Sequence, residues 1–144
     1  MDISRINDEI SRASDKNCFT FKNLDDVEQD MKEYLDMSST ICYYNCSNMD
    51  IIIKNRINKI VVRKCKNINF NIKSLVNGCH IENCESVSVR CSDDLNFFLV
   101  DKSFDIDVAL TKKFYRKTKF EINKSAEVCV FDGHGNLLKN IQKN

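Results

Sequence analysis

Apolar and polar residues alternate along most of this chain, and the alternation returns at a fixed interval. Taking Cys46 as an origin, steps of 19 residues reach Cys65, Cys84 and Ser103; a three-residue insertion then shifts the next equivalent position to Ser125. Three residues past each origin stand Met49, Ile68, Val87, Ile106 and Val128. Five past stand Ile51, Phe70, Val89, Val108 and Val130, and seven past the first four stand Ile53, Ile72, Cys91 and Leu110. The intervening positions are mostly polar, among them Asp50, Asn69, Ser88 and Asp107. A period of two marks a half-buried strand. A second apolar pair precedes each origin: Ile41, Ile60, Cys79, Phe98 and Phe120 five back, and Tyr43, Val62, Ile81, Val100 and Ile122 three back. Each repeat therefore predicts two short strands. Asn58, Asn77 and Asn96 stand seven back from the middle origins. Asparagine accepts left-handed backbone and closes turns, and stacked asparagines bond one another along a ladder.

A repeat of this length is too short for a strand–helix–strand crossover, which takes about 30 residues. It suits one coil of a solenoid in which equivalent residues stack. The predicted fold is all-β: a right-handed parallel β-helix of about five or six coils, spaced about 4.8 Å apart. A β-sandwich would explain alternation but gives no reason for a fixed register. Residues 1–17 read as a flexible arm and residues 18–144 as one domain. "FTF" (19–21) reads as a short strand. In "LDDVEQDMKEYLDM" (24–37), Leu24, Val27, Met31 and Leu35 fall at helical spacing, so helix and first coil compete there, and the coil is preferred. "FDGHGNLL" sets Asp-Gly between apolar residues, a hairpin signal, and predicts a C-terminal β-hairpin over 128–140. The open ends of a solenoid carry unpaired strand edges. Pairing of that hairpin with a second copy, through Val128, Val130, Phe131, Leu137 and Leu138, would bury one of them in a symmetric dimer.

Composition narrows the function. A formal charge of +1 over 144 residues argues against a general nucleic-acid binder. The polar start "MDISRINDEISRASDK" holds no apolar signal segment, and no run of about 18 apolar residues exists to insert in a membrane. A cytoplasmic location is expected, with the eight cysteines reduced. Cys46, Cys65 and Cys84 form a line rather than the tetrahedron zinc requires, so they read as small buried side chains, and no metal or cofactor is expected. His80, on the outward phase of its strand, and His134, in the hairpin turn, have no nucleophile or carboxylate constellation beside them; an enzyme is not expected.

The segment "YYNCSNMDIIIKNRINKIVVRKCK" (43–66) resembles the C-terminal domain of cyclase-associated protein: Tyr-x-Cys, an alternating strand ending in Ile-Lys, then Arg-Ile-Asn-x-Ile-x-Val and a Cys-Lys pair. The likeness continues through "LVNGCHIENCESVSVRC", "FTFKNLDDV" and "VFDGHGNLLKN", covering about residues 19–140. The family's N-terminal helical domain, proline-rich linker and verprolin-homology segment have no counterpart in the sequence. The resemblance implies a parallel β-helix that binds monomeric actin, preferring the ADP form, and promotes exchange of ADP for ATP. Related cofactor C domains that activate GTPases carry Gln-x-Arg followed by Pro-Ile-Ile-Glu, absent here. A cofactor C-type regulator and a structural, self-assembling β-helix module are the alternative readings.

Because actin is acidic, the outward basic residues Lys54, Arg56, Lys59, Arg63, Lys64, Lys66 and Lys73, with Asn58 among them, are the candidate contacts. An outward apolar column, Cys42, Val61, His80 and Leu99, with Ile52 and Phe97, is a second candidate patch.

Overall fold

The computed structural model describes residues 17–31 and 35–143; the arm expected over 1–17 lies almost wholly outside them. The chain forms β1 (Cys18–Lys22), β2 (Asp25–Met31), β3 (Thr40–Tyr44), β4 (Ser47–Arg63), β5 (Lys66–Glu82), β6 (Glu85–Cys91), β7 (Phe97–Asp101) and β8 (Phe104–Ala109). A single helical turn, α1 (Lys112–Tyr115), precedes β9 (Lys119–Asn123), β10 (Ser125–Phe131) and β11 (Leu137–Lys143).

Two parallel ladders build the solenoid. Ladder A stacks β1, β3, the second halves of β4 and β5, β7 and β9. Ladder B stacks β2, the first halves of β4 and β5, β6, β8 and β10. A narrower third side is closed by the pairs Arg56–Ser74 and Ile57–Leu75 and by the bridge from Leu75 to Leu95. β11 turns back antiparallel on β10, which is the expected hairpin. The fold is thus the expected β-helix. Residues 25–31 are its first ladder B strand rather than a helix, because β4 offers them a full ladder partner.

The apolar columns run down the interior. Met49, Ile68, Val87, Ile106 and Val128 meet register to register and are almost wholly buried. So do Ile41, Ile60, Cys79 and Phe98 on ladder A. Ile57, Leu75 and Leu95 fill the third side. Near the N-terminal end Phe21 stacks on Tyr43, with ring centroids 5.1 Å apart. The buried Tyr43 hydroxyl donates to Gln29 Oε1 at 2.9 Å, so its one polar atom is satisfied inside the core.

The cysteine column has a second duty beyond filling space. Cys46, Cys65 and Cys84 each turn Sγ toward the carbonyl two residues back, at 3.5, 3.2 and 3.2 Å. Ser103 and Ser125 do the same with Oγ, at 2.9 and 2.8 Å. Three of these atoms also accept a backbone N–H from the neighbouring coil: Cys46 donates to Cys65 Sγ, Cys84 to Ser103 Oγ and Ser103 to Ser125 Oγ. A thiol and a hydroxyl interchange here because each is one donor and one acceptor of small size. All eight cysteines are free. Burial pushes the Cys91 thiol up to about 12 and raises Cys79 further, so these thiols stay protonated and unreactive.

The left-handed backbone sits elsewhere than the sequence suggests. Asn45, Lys64, Asn83, Lys102 and Lys124, one residue before each origin, have φ between 49° and 54°. Asn48, Asn67, Ser86, Asp105 and Glu127, two after it, have φ between 54° and 61°. Each origin is therefore the apex of an arch that turns ladder A into ladder B. Asn58, Asn77 and Asn96 are not in this region. Asn77 Nδ2 does donate to Asn58 Oδ1 as a ladder, whereas Asn96 Nδ2 bonds the Val76 carbonyl at 2.7 Å. Gly78 is fixed by sterics: its φ is 97°, and a Cβ there would lie 2.0 Å from the Phe97 carbonyl oxygen.

Candidate docking face

The solenoid distributes the predicted basic residues around its perimeter instead of gathering them. Lys54 and Lys73 are exposed at the end of ladder B, beside a shallow groove lined by Ile52, Ile53, Asn71, Ile72 and Ser92. Arg56 lies on the third side, its Nη2 2.7 Å from Asp94 Oδ2. Asn58 begins ladder A, donating to Thr40 Oγ1 at 3.0 Å. Lys59 and Arg63 flank ladder A's outer surface, and Arg63 Nε is 3.2 Å from Glu82 Oε2. Lys64 and Lys66 stand at the arch. Lys64 Nζ bonds the Tyr44 hydroxyl at 3.2 Å and lies 5.4 Å from the centre of its ring, while Lys66 Nζ is 3.7 Å from Glu85 Oε2. Such exposed ion pairs add less than about 1 kcal/mol each, but they neutralise charge that a partner would otherwise meet.

The apolar column is more coherent. Cys42 pairs in register with Val61, Val61 with His80 and His80 with Leu99. All four are half-buried side chains on the outer face of ladder A. Phe97 presents its ring at 62° to His80, with centroids 5.7 Å apart. Ile52 does not belong to this column; it pairs with Asn71 on ladder B, the other sheet. Apart from Ile52, the outer face of ladder B beside it is polar, carrying Asn69 hydrogen-bonded to Asp50 and Asn67 to Asn48.

The His80 imidazole is held below its ordinary value of 6.5, first by burial and then by the charges of Lys59 and Arg63, with Glu121 opposing them. It is neutral near pH 7 and serves as part of the apolar strip. Burial likewise pushes the Cys42 thiol up to about 11. The face is thus flat and uncharged from Cys42 to Leu99, with Lys59 on one margin and Arg63 on the other. It has the chemistry of a protein contact: apolar side chains that lose water, bordered by charge. Among the described residues no group of three or more His, Cys, Asp or Glu side chains could hold a metal. No helix among them is long and apolar enough to cross a membrane.

The hairpin residues divide. Val128 and Val130 are 0% exposed and complete the interior columns, so their side chains are not available to a second copy; the two-residue period that made them look like hairpin contacts is the inward phase of β10. Phe131 and Leu138 are half-buried, and Leu137 is 56% exposed.

One basic group went unnoticed in the sequence because it breaks the repeat. Between β8 and the first residue of β9 the chain carries "TKKFYRKTK", in which Lys112, Lys113, Arg116, Lys117 and Lys119 are all exposed. Its density of cations without an acid was the available signal.

Comparison with known proteins agrees with this architecture. The model of the adenylate cyclase-associated (CAP) protein C-terminal family matches residues 11–136. The crystal structure of cyclase-associated protein from Cryptosporidium parvum superposes with a TM-score of 0.77 at 15% identity, covering 91% of this chain and 80% of that one. No individually curated protein matches. With most of its length matched by the family model and its coils following the same β-helix, the chain belongs to the cyclase-associated protein C-terminal domain family.

Proposed function

We propose that this chain binds monomeric actin and speeds exchange of its bound ADP for ATP, acting in the cytoplasm as a regulator of actin turnover. The observation that carries the reading is the outer face of ladder A in a chain of this family: the Cys42–Val61–His80–Leu99 strip, bordered by Lys59 and Arg63. Actin supplies an acidic, partly apolar protein surface, which suits both parts of the face. The chemistry required is binding alone. A protein that binds a nucleotide-loosened state of actin more tightly than the closed state shifts the population toward release by that difference in affinity. The ADP-actin preference follows if the loosened state is better populated with ADP.

A second copy would join through the hairpin. β11 pairs with β10 along one edge, and its exposed Leu137 marks the side that a symmetric partner would cover.

The test is release of a fluorescent nucleotide from preloaded actin. Wild-type protein should accelerate release. Replacing Lys59 and Arg63 with glutamate should weaken the effect at least tenfold. No acceleration at saturating protein, with no co-migration with actin, would contradict the reading.

A further inference from the structure

We infer that the insertion between β8 and β9 docks the molecule on an anionic lipid bilayer. Five cations, Lys112, Lys113, Arg116, Lys117 and Lys119, occupy eight consecutive residues without an acid among them. All five are exposed, and none makes an ion pair among the described residues. That separates them from Arg56, Arg63 and Lys66, each of which faces a carboxylate.

The segment is tied to the solenoid by hydrogen bonds and ring contacts. Thr118 Oγ1 donates to the Leu95 carbonyl at 2.6 Å, and Lys119 N–H to the Asn96 carbonyl at 3.1 Å. Tyr115 packs on Phe120, which in turn meets the buried Phe98. These contacts present the cations on the third side of the solenoid, the same side on which the chain turns beyond Lys54 and Lys73. The half-buried Phe114 lies among them, with Lys113 Nζ 5.5 Å from its ring centre.

Charge distribution selects the partner. Setting these five charges apart from the formal +1 leaves −4 on the rest of the chain. An anionic plane would therefore attract this pole and repel the remainder, which fixes orientation as well as contact. Four of the five cations are lysines, a residue depleted in protein interfaces and effective at a diffuse anionic surface, where fixed geometry is not needed. The adjoining cleft also fits no shaped anion site: its lining includes the Asp132 carboxylate beside Lys112 and His134.

Vesicle co-sedimentation of the full chain tests this. Phosphatidylserine-rich vesicles should bind it, and pure phosphatidylcholine vesicles should not. Each lysine changed to glutamine, at 112, 113 or 117, should lower the partition coefficient about fivefold, corresponding to about 1 kcal/mol per charge. High salt should abolish binding. Lys64→Gln with Lys66→Gln, at the arch, serves as the control and should change it less than twofold. Matching thermal melts would show that the exposed substitutions leave the fold intact. The proposal is overturned by binding that ignores phosphatidylserine, by equal losses in the control, or by insertion variants that lose actin binding while no variant binds vesicles.

Discussion

The origin column shows how one side chain can serve the whole repeat. Cys65 Sγ donates to the Arg63 carbonyl and accepts the Cys46 N–H. Cys65→Ser keeps both functions and, since Ser103 and Ser125 already fill equivalent places, should change stability by less than about 1 kcal/mol. Cys65→Ala leaves a buried N–H unmet and should cost about 1–3 kcal/mol. Urea unfolding of the two variants measures the difference, and equal losses would reduce the column to simple packing. His80 gives a second check. Its folded value lies below 6.5, so the unfolded chain takes up a proton first as pH falls. Its contribution to stability is present above pH 6.5 and declines as pH drops through the folded value. His80→Phe should flatten the pH dependence of the urea midpoint below about pH 6.5. At this scale the sequence was legible in the inward columns, because burial on a strand demands alternation. The arches were not legible, since lysine, serine and glutamate give no hint of positive φ. The register of the stack imposes it, and asparagine at 45, 48, 67 and 83 only lowers the strain.

Among the elements, the first coil shows where a repeat escapes detection. Leu24 occupies the position of the cysteines: its carbonyl accepts the Ser47 N–H at 2.9 Å, and Asn23 and Asp26 carry the left-handed pair on either side. The coil is offset by 22 residues from the next, and its apex is neither Cys nor Ser, so the identity of the column is lost while the alternation of Phe19 and Phe21 survives. At the opposite end β10 and β11 divide the labour. Val128 and Val130 close the core, and Leu137 remains outside. Leu137→Asp should therefore convert the proposed dimer into monomer in sedimentation equilibrium without lowering the melting temperature appreciably. A dimer unchanged by this substitution would place the joint elsewhere.

For the molecule as a whole, a stack of equal coils yields long flat faces, and the two broad ones differ in chemistry. Ladder A is apolar along Val61, His80 and Leu99, with bases at its margins; ladder B, apart from Ile52, is hydrogen-bonded asparagine and aspartate. The basic run from Lys54 to Lys73 looked continuous in the sequence because neighbours in a coil are close along the chain. Folding carries them around three sides, and only the stacked columns end as surfaces. Actin binding through ladder A is thus the central claim, and titration of labelled ADP-actin with the protein and two variants addresses it most directly. Val61→Asp, at the middle of the apolar strip, should weaken binding at least tenfold, while Asn69→Lys, on ladder B, should leave it within twofold of wild type. Binding that survives Val61→Asp and fails with Asn69→Lys would place the contact on the other face and contradict the account.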